Sequence, residues 1–153
     1  MEIFRIAFVG HREIQGHYDL EERIQTIVRN FLETKEFVEL MMGRNGDFDI
    51  SAASAVKRAR RAAGEENSSL ILVQPYAMKD DPYYEKFYDE IYYPVPPTVH
   101  PKGAITKRNQ WMMENSDLVI AFVEEGRGGG AMSTLRYAKR LGVPIWNLAE
   151  KNQ

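Results

Sequence analysis

The chain has 153 residues, 44% hydrophobic and 27% charged, which suits one globular domain whose core needs no staples and excludes a disordered or fibrous class. Its 20 Lys and Arg against 22 Asp and Glu give a formal net charge of -2, so no global positive field exists to attract nucleic acid or an anionic membrane. Cysteine is absent, which removes disulfides, thiolate zinc sites and thiol nucleophiles; with no basic leader in Met1 to Gly10 and no apolar run near the roughly 20 residues of a membrane span, a cytoplasmic chain is expected.

Ile3 to Val9 (IFRIAFV) is a nearly continuous apolar run that stops at Gly10, the pattern of a strand buried on both faces of a sheet. A polar segment, His11 to Asp19, leads into a helix over Leu20 to Thr34, where Leu20, Ile24, Ile27, Val28, Phe31 and Leu32 recur at helical spacing behind Asp19 as N-cap. Phe37 to Met42 is a second strand that runs into Gly43-Arg44-Asn45-Gly46-Asp47, after which Asp49 or Ser51 caps an Ala-rich helix through Ala63. Ser69 to Gln74 is a third strand, stopped by Pro75. Tyr76 to Pro101, crowded with tyrosines, acids and prolines, reads as a short helix, an edge strand and a Pro-rich crossing loop. Ala104 to Asn115 is helical, Asp117 to Val123 (DLVIAFV) is another doubly buried strand, Glu124 to Gly130 (EEGRGGG) is a loop, Ala131 to Leu141 is helical, and Pro144 to Leu148 closes as a strand. The alternation predicts right-handed crossovers and a three-layer α/β/α architecture with a mainly parallel sheet, one domain over residues 1–153.

In an open parallel sheet, ligands bind beyond the carboxyl ends of the strands, near the point where strand order reverses. Three loops qualify. The late one is the sharpest: Gly128, Gly129 and Gly130 let backbone amides approach an anion, the next helix adds its positive end, Ser133 and Thr134 offer hydroxyls, and Arg127 is placed to close over the ligand. Phosphate is the natural guest, and a flexible turn is the competing reading. Gly43 and Gly46 suit a tight turn aiming Asp47 or Asp49 at ribose hydroxyls, or simply a helix entry. Gly10, His11, Arg12 and Glu13 follow the first strand directly, so His11 is either a pH-poised acid or base or a satisfied structural histidine. Arg108, with Thr106, Lys107 and Asn109 on the helix before the Asp117 strand, is placed to hold a phosphate bidentately, and a solvated charged face is the competing reading. Lys57, Arg58, Arg60 and Arg61 read as a solvated helix face. Neither a GxGxxG fingerprint after the first strand nor a GxxxxGK(S/T) loop is present, and His11, His17 and His100 have no metal-ligand spacing, so no metal is expected.

An apolar strand ending in Gly10-His11-Arg12, the Gly43 to Asp47 loop, Lys107-Arg108-Asn109 with Met112 or Met113, and Ser116 to Ala121 followed by a glycine loop, Thr134 and Tyr137-Ala138 together resemble the SLOG superfamily. Its branches include YpsA-like, DprA-like and LOG (cytokinin-activating phosphoribohydrolase) proteins, and the YpsA-like branch is the most similar. The resemblance covers most of the chain except Tyr76 to Pro101. It implies a Rossmann-like fold whose glycine loops hold nucleotides, with Arg108 as the family's arginine before the late loop and Gly128 to Gly130 with Thr134 as its phosphate loop. It also implies an oligomer. The LOG glutamate that follows the phosphate loop is missing, since Leu135, Arg136 and Tyr137 follow Thr134.

Two functions remain open. The first is a ligand-binding or sensor module for a phosphorylated nucleotide or a nucleotide derivative, a nucleotide-type ligand being expected and no particular cofactor specified. The second is a nucleotide N-glycosidic hydrolase or transferase whose carboxylate comes from Glu13, Asp47, Glu124 or Glu125, because such chemistry needs an acid to stabilise oxocarbenium-like charge. DprA-like binding of single-stranded DNA would need a basic groove lined with stacking aromatics, which the charge balance opposes.

Overall fold

The structure is a computed structural model and describes residues 1–44 and 46–150. β1 (Ile3–Gly10) carries Ile6 and Phe8 on one face and Ala7 on the other, all buried, so each face needs a covering layer. α1 (Leu20–Thr34) supplies part of the first layer, turning Leu20, Ile24, Val28 and Leu32 inward, and each such aliphatic side chain stabilises the packed state by about 1.5–3 kcal/mol. β2 (Phe37–Met42) leads to α2 (Asp47–Ala63), whose Phe48 and alanines 52, 53, 55 and 59 complete that layer with Val56. β3 (Ser68–Val73) follows, then α3 (Asp81–Tyr84), β4 (Glu90–Tyr92), α4 (Pro101–Glu114), β5 (Leu118–Phe122), α5 (Gly130–Leu141) and β6 (Ile145–Asn147). Met112 and Met113 of α4 and Leu135 and Ala138 of α5 pack on Ala7, Met41, Val119 and Ala121, which makes the second core and the third layer.

All described strands lie in one sheet of order β4-β3-β2-β1-β5-β6, and every pairing is parallel. The expected three-layer α/β/α sheet is therefore present, and it is wholly rather than mainly parallel among the described strands. The Tyr/Pro-rich segment holds the short helix and the edge strand read from it, α3 and β4, with Leu72 beside Ile91 in register. Among the described residues no helix is long and apolar enough to cross a membrane.

Helix starts differ from the sequence reading for local reasons. α2 begins at Asp47 with Gly46 as cap, not at Asp49 or Ser51, because the main chain after β1 does the capping: the Asp47 amide donates to the Arg12 carbonyl at 2.8 Å and the Phe48 amide to the His11 carbonyl at 3.4 Å. α4 starts at Pro101, where a proline at the first helical position loses no hydrogen bond and His100 Nδ1 accepts from the Lys102 amide at 3.3 Å. Asp19 occupies the cap position of α1, but its side chain makes no capping hydrogen bond. Arg60, read as part of a solvated face, is buried: its Nε donates to Ser68 Oγ at 2.9 Å and its Nη2 pairs with Asp89 at 2.8 Å.

Candidate functional site

From β1 the chain steps outward through β2, β3 and β4, then returns to place β5 on the other side of β1. The reversal lies between β1 and β5, so the loops after these two strands face each other over the sheet's carboxyl edge.

The loop after β1 is held from three directions. Below it, a Cβ on Gly10 would lie 2.2 Å from Phe48 Cγ, so the strand end and the ring of α2 meet where only glycine fits. Beside it, a Cβ on Gly46 would lie 2.9 Å from the Arg12 Cα, and Asp47 Oδ2 accepts the Ile14 amide at 3.0 Å. Across the switch point, the His11 amide donates to the Phe122 carbonyl at 3.2 Å, and His11 Nε2 accepts the Glu124 amide at 2.8 Å. His11 is buried, and an accepting Nε2 fixes the neutral ring with its proton on Nδ1. Burial pushes its pKa below the usual 6.5, the Arg127 charge pushes the same way, and Glu124 opposes them. His11 thus joins the two loops through both its amide and its ring. Arg12 and Glu13 are exposed.

The loop after β5 carries the glycines into open space: a Cβ at Gly126, Gly128, Gly129 or Gly130 would meet nothing within 4 Å. Gly126 at φ +88° and Gly129 at φ +98° adopt backbone that side-chain-bearing residues rarely reach. Gly129 caps α5 without a side chain, and the first amide donation into the helix is Ser133 to the Gly129 carbonyl at 3.1 Å. The amides of the turn before it have no partner inside the helix, which is how a helix entrance meets an anion. Arg127 bridges the two loops, donating from Nη1 to the Glu13 carbonyl at 3.1 Å and to Glu124 Oε1 at 2.8 Å. That hydrogen bond holds the Glu124 carboxyl below the usual carboxylate range. Glu125 and Ser133 are exposed. Thr134 is buried, and its hydroxyl donates back to the Gly130 carbonyl at 2.8 Å.

Arg108 sits further along the edge. Its Nη1 donates to the Val73 carbonyl at 2.7 Å, at the end of β3, and its Nε to Asn109 Oδ1 at 2.8 Å. Burial lowers its pKa while Asp49 and Tyr76 raise it. A Cβ on Gly43, at the end of β2, would lie 3.1 Å from Asp49 Oδ2 and 3.4 Å from Arg108 Nη1, so these side chains converge on one point. The structure thus assembles Gly10, His11, Arg12, Glu13, Gly46, Asp47, Glu124, Arg127 and the glycine loop around the switch point, and Gly43, Asp49 and Arg108 over β2 and β3. Asn45 lies outside the described residues.

Arg44, Asp81 and Asn147 anchor the loops near this edge, although the sequence reading gave none of them a role. Arg44, its side chain 8% exposed, binds Asp80 at 2.7 Å with its guanidinium over the Tyr84 ring, and its Nε is the one buried side-chain polar atom without a partner among the described residues. Asp81, 4% exposed, accepts from Gln74 Nε2, the Met78 amide and the Tyr93 hydroxyl, tying the segment after β3 to β4. Asn147 is buried as well and pairs with both the amide and the carbonyl of Val123, fixing the root of the glycine loop. An Asp-Asp-Pro run behind an aromatic segment was the available hint for Asp81, and Asn147 offered none. Separately, a groove of about 870 Å³ runs between α1 and β6, lined by Arg23, Ile27, Trp146 and Leu148 among others. The glycine-loop residues do not line it. No group of three or more metal-ligating side chains occurs among the described residues.

No protein-family model matches the chain, and no curated protein matches its sequence. Solved structures do match. DNA processing protein A (DprA) from Streptococcus pneumoniae superposes with a TM-score of 0.66 at 14% identity, over 94% of this chain and 49% of its own. The fold is Rossmann-like, of the DprA kind. This chain spans about half the length of that DprA structure. The molybdenum cofactor carrier protein MCP from Chlamydomonas reinhardtii has a TM-score of 0.61 at 14% identity, over 99% of this chain and 80% of its own. At such identity the DprA-like fold is what the likeness establishes, matching the SLOG-type architecture that the motifs imply.

Proposed function

We propose that the chain binds a phosphorylated nucleotide or nucleotide-derived ligand at the carboxyl edge of its sheet, with the phosphate on the glycine loop and the entrance of α5. One observation carries this reading. Gly128 to Gly130 lead into a helix entrance beside the β1/β5 reversal, an added Cβ on any of them would meet nothing within 4 Å, and the backbone dipoles of such an entrance favour an anion. Arg12 and Arg127 add positive charge at the rim. The reading is of a binding or sensor module: His11, the imidazole that directly follows β1, is occupied as an acceptor of the Glu124 amide. That a protein named as a carrier of the molybdenum cofactor shares this fold also supports binding without turnover.

Amide NMR with inorganic phosphate and the four ribonucleoside 5′-monophosphates tests it. Shifts centred on Gly126 to Ala131 that saturate at millimolar ligand or below are expected, with Gly129→Ala weakening binding at least about tenfold because it loses the φ > 0 backbone at a cost of about 1–3 kcal/mol. No shift at this loop with any of the five overturns the proposal.

Glu124 favours a second reading, N-glycosidic cleavage or transfer, because Arg127 keeps its carboxylate ionised next to the proposed phosphate site. Glu13, Asp47 and Glu125 are the other acids of these loops, but Asp47 is engaged with the Ile14 amide. Incubation with the same monophosphates and chromatography for free base decides: base release abolished by Glu124→Gln establishes the enzyme, and none with any substrate removes it.

A further inference from the structure

The groove between α1 and β6 lies apart from the glycine loop, and the phosphate reading does not account for it. Its volume of about 870 Å³ falls within the roughly 300–1,000 Å³ of small-molecule sites. The floor is apolar: Ile27 on α1, Leu148 after β6, and the ring of Trp146, which stays 41% exposed although it lies in the strand. That indole is braced on its α1 side. Phe31 stands 5.6 Å from it, and Phe31 is itself stacked on Phe4 at 5.0 Å, so three aromatic rings form a row that leads into the groove.

The rim is polar, and its groups differ in what they leave open. Arg23 Nη1 donates to the Leu148 carbonyl at 2.9 Å and Thr26 Oγ1 to the Glu22 carbonyl at 3.0 Å, so both are directed at the main chain. Asp19 and Glu22 are exposed, three residues apart and hence on one face of α1. Asp19 stands at the cap position without capping the helix, and neither acid joins an ion pair among the described residues, whereas the neighbouring Glu21 binds Arg58. Two full carboxylate charges, against one guanidinium and the roughly half charge of a helix N-terminus, leave the mouth negative. An apolar floor under an anionic mouth describes a guest: an anion is repelled, a neutral ring uses the floor alone, and a flat ring with a cationic arm uses both, since an indole face attracts cations as well as rings.

We propose that this groove is a second binding site, for a small organic cation with an aromatic body, its ring on Trp146, Ile27 and Leu148 and its ammonium at Asp19 and Glu22. The site takes the opposite charge from the glycine loop and does not depend on the nucleotide reading. It opens on the α1 side of β6 rather than along that strand's hydrogen-bonding edge, so occupancy of the groove and association of chains through the edge are separate events.

The experiment follows the amide and indole NMR signals of the intact protein with two probes that share a ring system and carry opposite charge, naphthylethylamine and naphthylpropionate, beside inorganic phosphate. The amine is expected to shift the Trp146 indole and the amides of Asp19 to Ile27 with a Kd of about a millimolar or below, the value for a ligand of about a dozen heavy atoms at ordinary efficiency. It is expected to bind about tenfold more tightly than the carboxylate at low salt, and added salt is expected to shrink that ratio. Asp19→Asn combined with Glu22→Gln is expected to bring the ratio within about twofold while phosphate shifts at the glycine loop stay as they were. Trp146→Ala is expected to weaken both probes at least about fivefold. Equal affinity for the two probes in the unmodified protein overturns the proposal, as do shifts confined to the glycine loop or no shifts at all, and each of these leaves the phosphate reading to its own test. The ratio in the unmodified protein decides even if a variant fails to fold.

Discussion

At Gly10 a single methyl group would meet a ring. Its added Cβ would sit 2.2 Å from Phe48, a fully buried side chain of the first core, so neither partner has space to move. Gly10→Ala is expected to cost at least the about 1–3 kcal/mol typical of overpacking, read as a lower urea midpoint at unchanged slope. His11 gives a prediction in pH. The unfolded chain takes up a proton near the ordinary 6.5 that the folded ring refuses, so its contribution is complete above that value and is lost as pH falls below it. Urea unfolding between pH 7.5 and 5.5 is expected to show that loss. His11→Gln, which keeps an acceptor for the Glu124 amide, is expected to flatten it; an unaltered pH slope in the variant refutes the assignment. Sequence position alone left His11 between a chemical and a structural role. Its ring partner is the amide of Glu124, 113 residues away, and no local pattern announces such a partner.

Among the elements, the strands and the long helices were readable because their patterns are local: α1 and β2 run over the very residues whose apolar periodicity marks them. The start of α2 was not, because its caps are the carbonyls of His11 and Arg12 rather than a side chain of its own. The segment between β3 and α4 was readable only in kind. Its order comes from Asp81, a buried carboxylate that burial pushes up but that Tyr93, Met78, Gln74 and Arg44 together hold below the ordinary 3.8. Asp81→Asn is expected to destabilise by about 1–3 kcal/mol, since it leaves buried donors poorly matched. Hydrogen exchange is expected to quicken in β4 before it does in β1. The contribution of the native carboxylate is present above 3.8 and lost as pH falls through its lower folded value, so the gap between the native protein and the variant narrows in acid. An acid limb identical in both proteins would falsify this account.

For the whole molecule, the sheet order decides what can be near what. Fold class followed from the alternation of doubly buried strands and helices, yet the distribution of the candidate site into two parts did not, because Arg108 and the glycine loop are neighbours in sequence-motif order while Arg108 reaches β3 through its guanidinium. The open edges carry exposed aromatics, Tyr92 on β4 and Trp146 on β6, each 39–41% exposed. Aromatic side chains of this kind are enriched where chains associate, and light scattering at micromolar concentration is expected to give at least twice the chain mass; a monomer mass refutes it. With a net charge of -2, single-stranded DNA is expected to pass a filter unretained even at low salt.

The contacts that join α2 to the loop after β1 run largely through main-chain atoms: Arg12 and His11 contribute carbonyls, Asp47 and Phe48 contribute amides. Peptide groups are common to every residue except for proline's missing hydrogen, so the outward side chains of Arg12 and Glu13 can be exchanged without loosening the scaffold. A mouth built this way can acquire a different taste while its frame stays the same, which makes these two positions the economical place to redesign which guest the protein accepts.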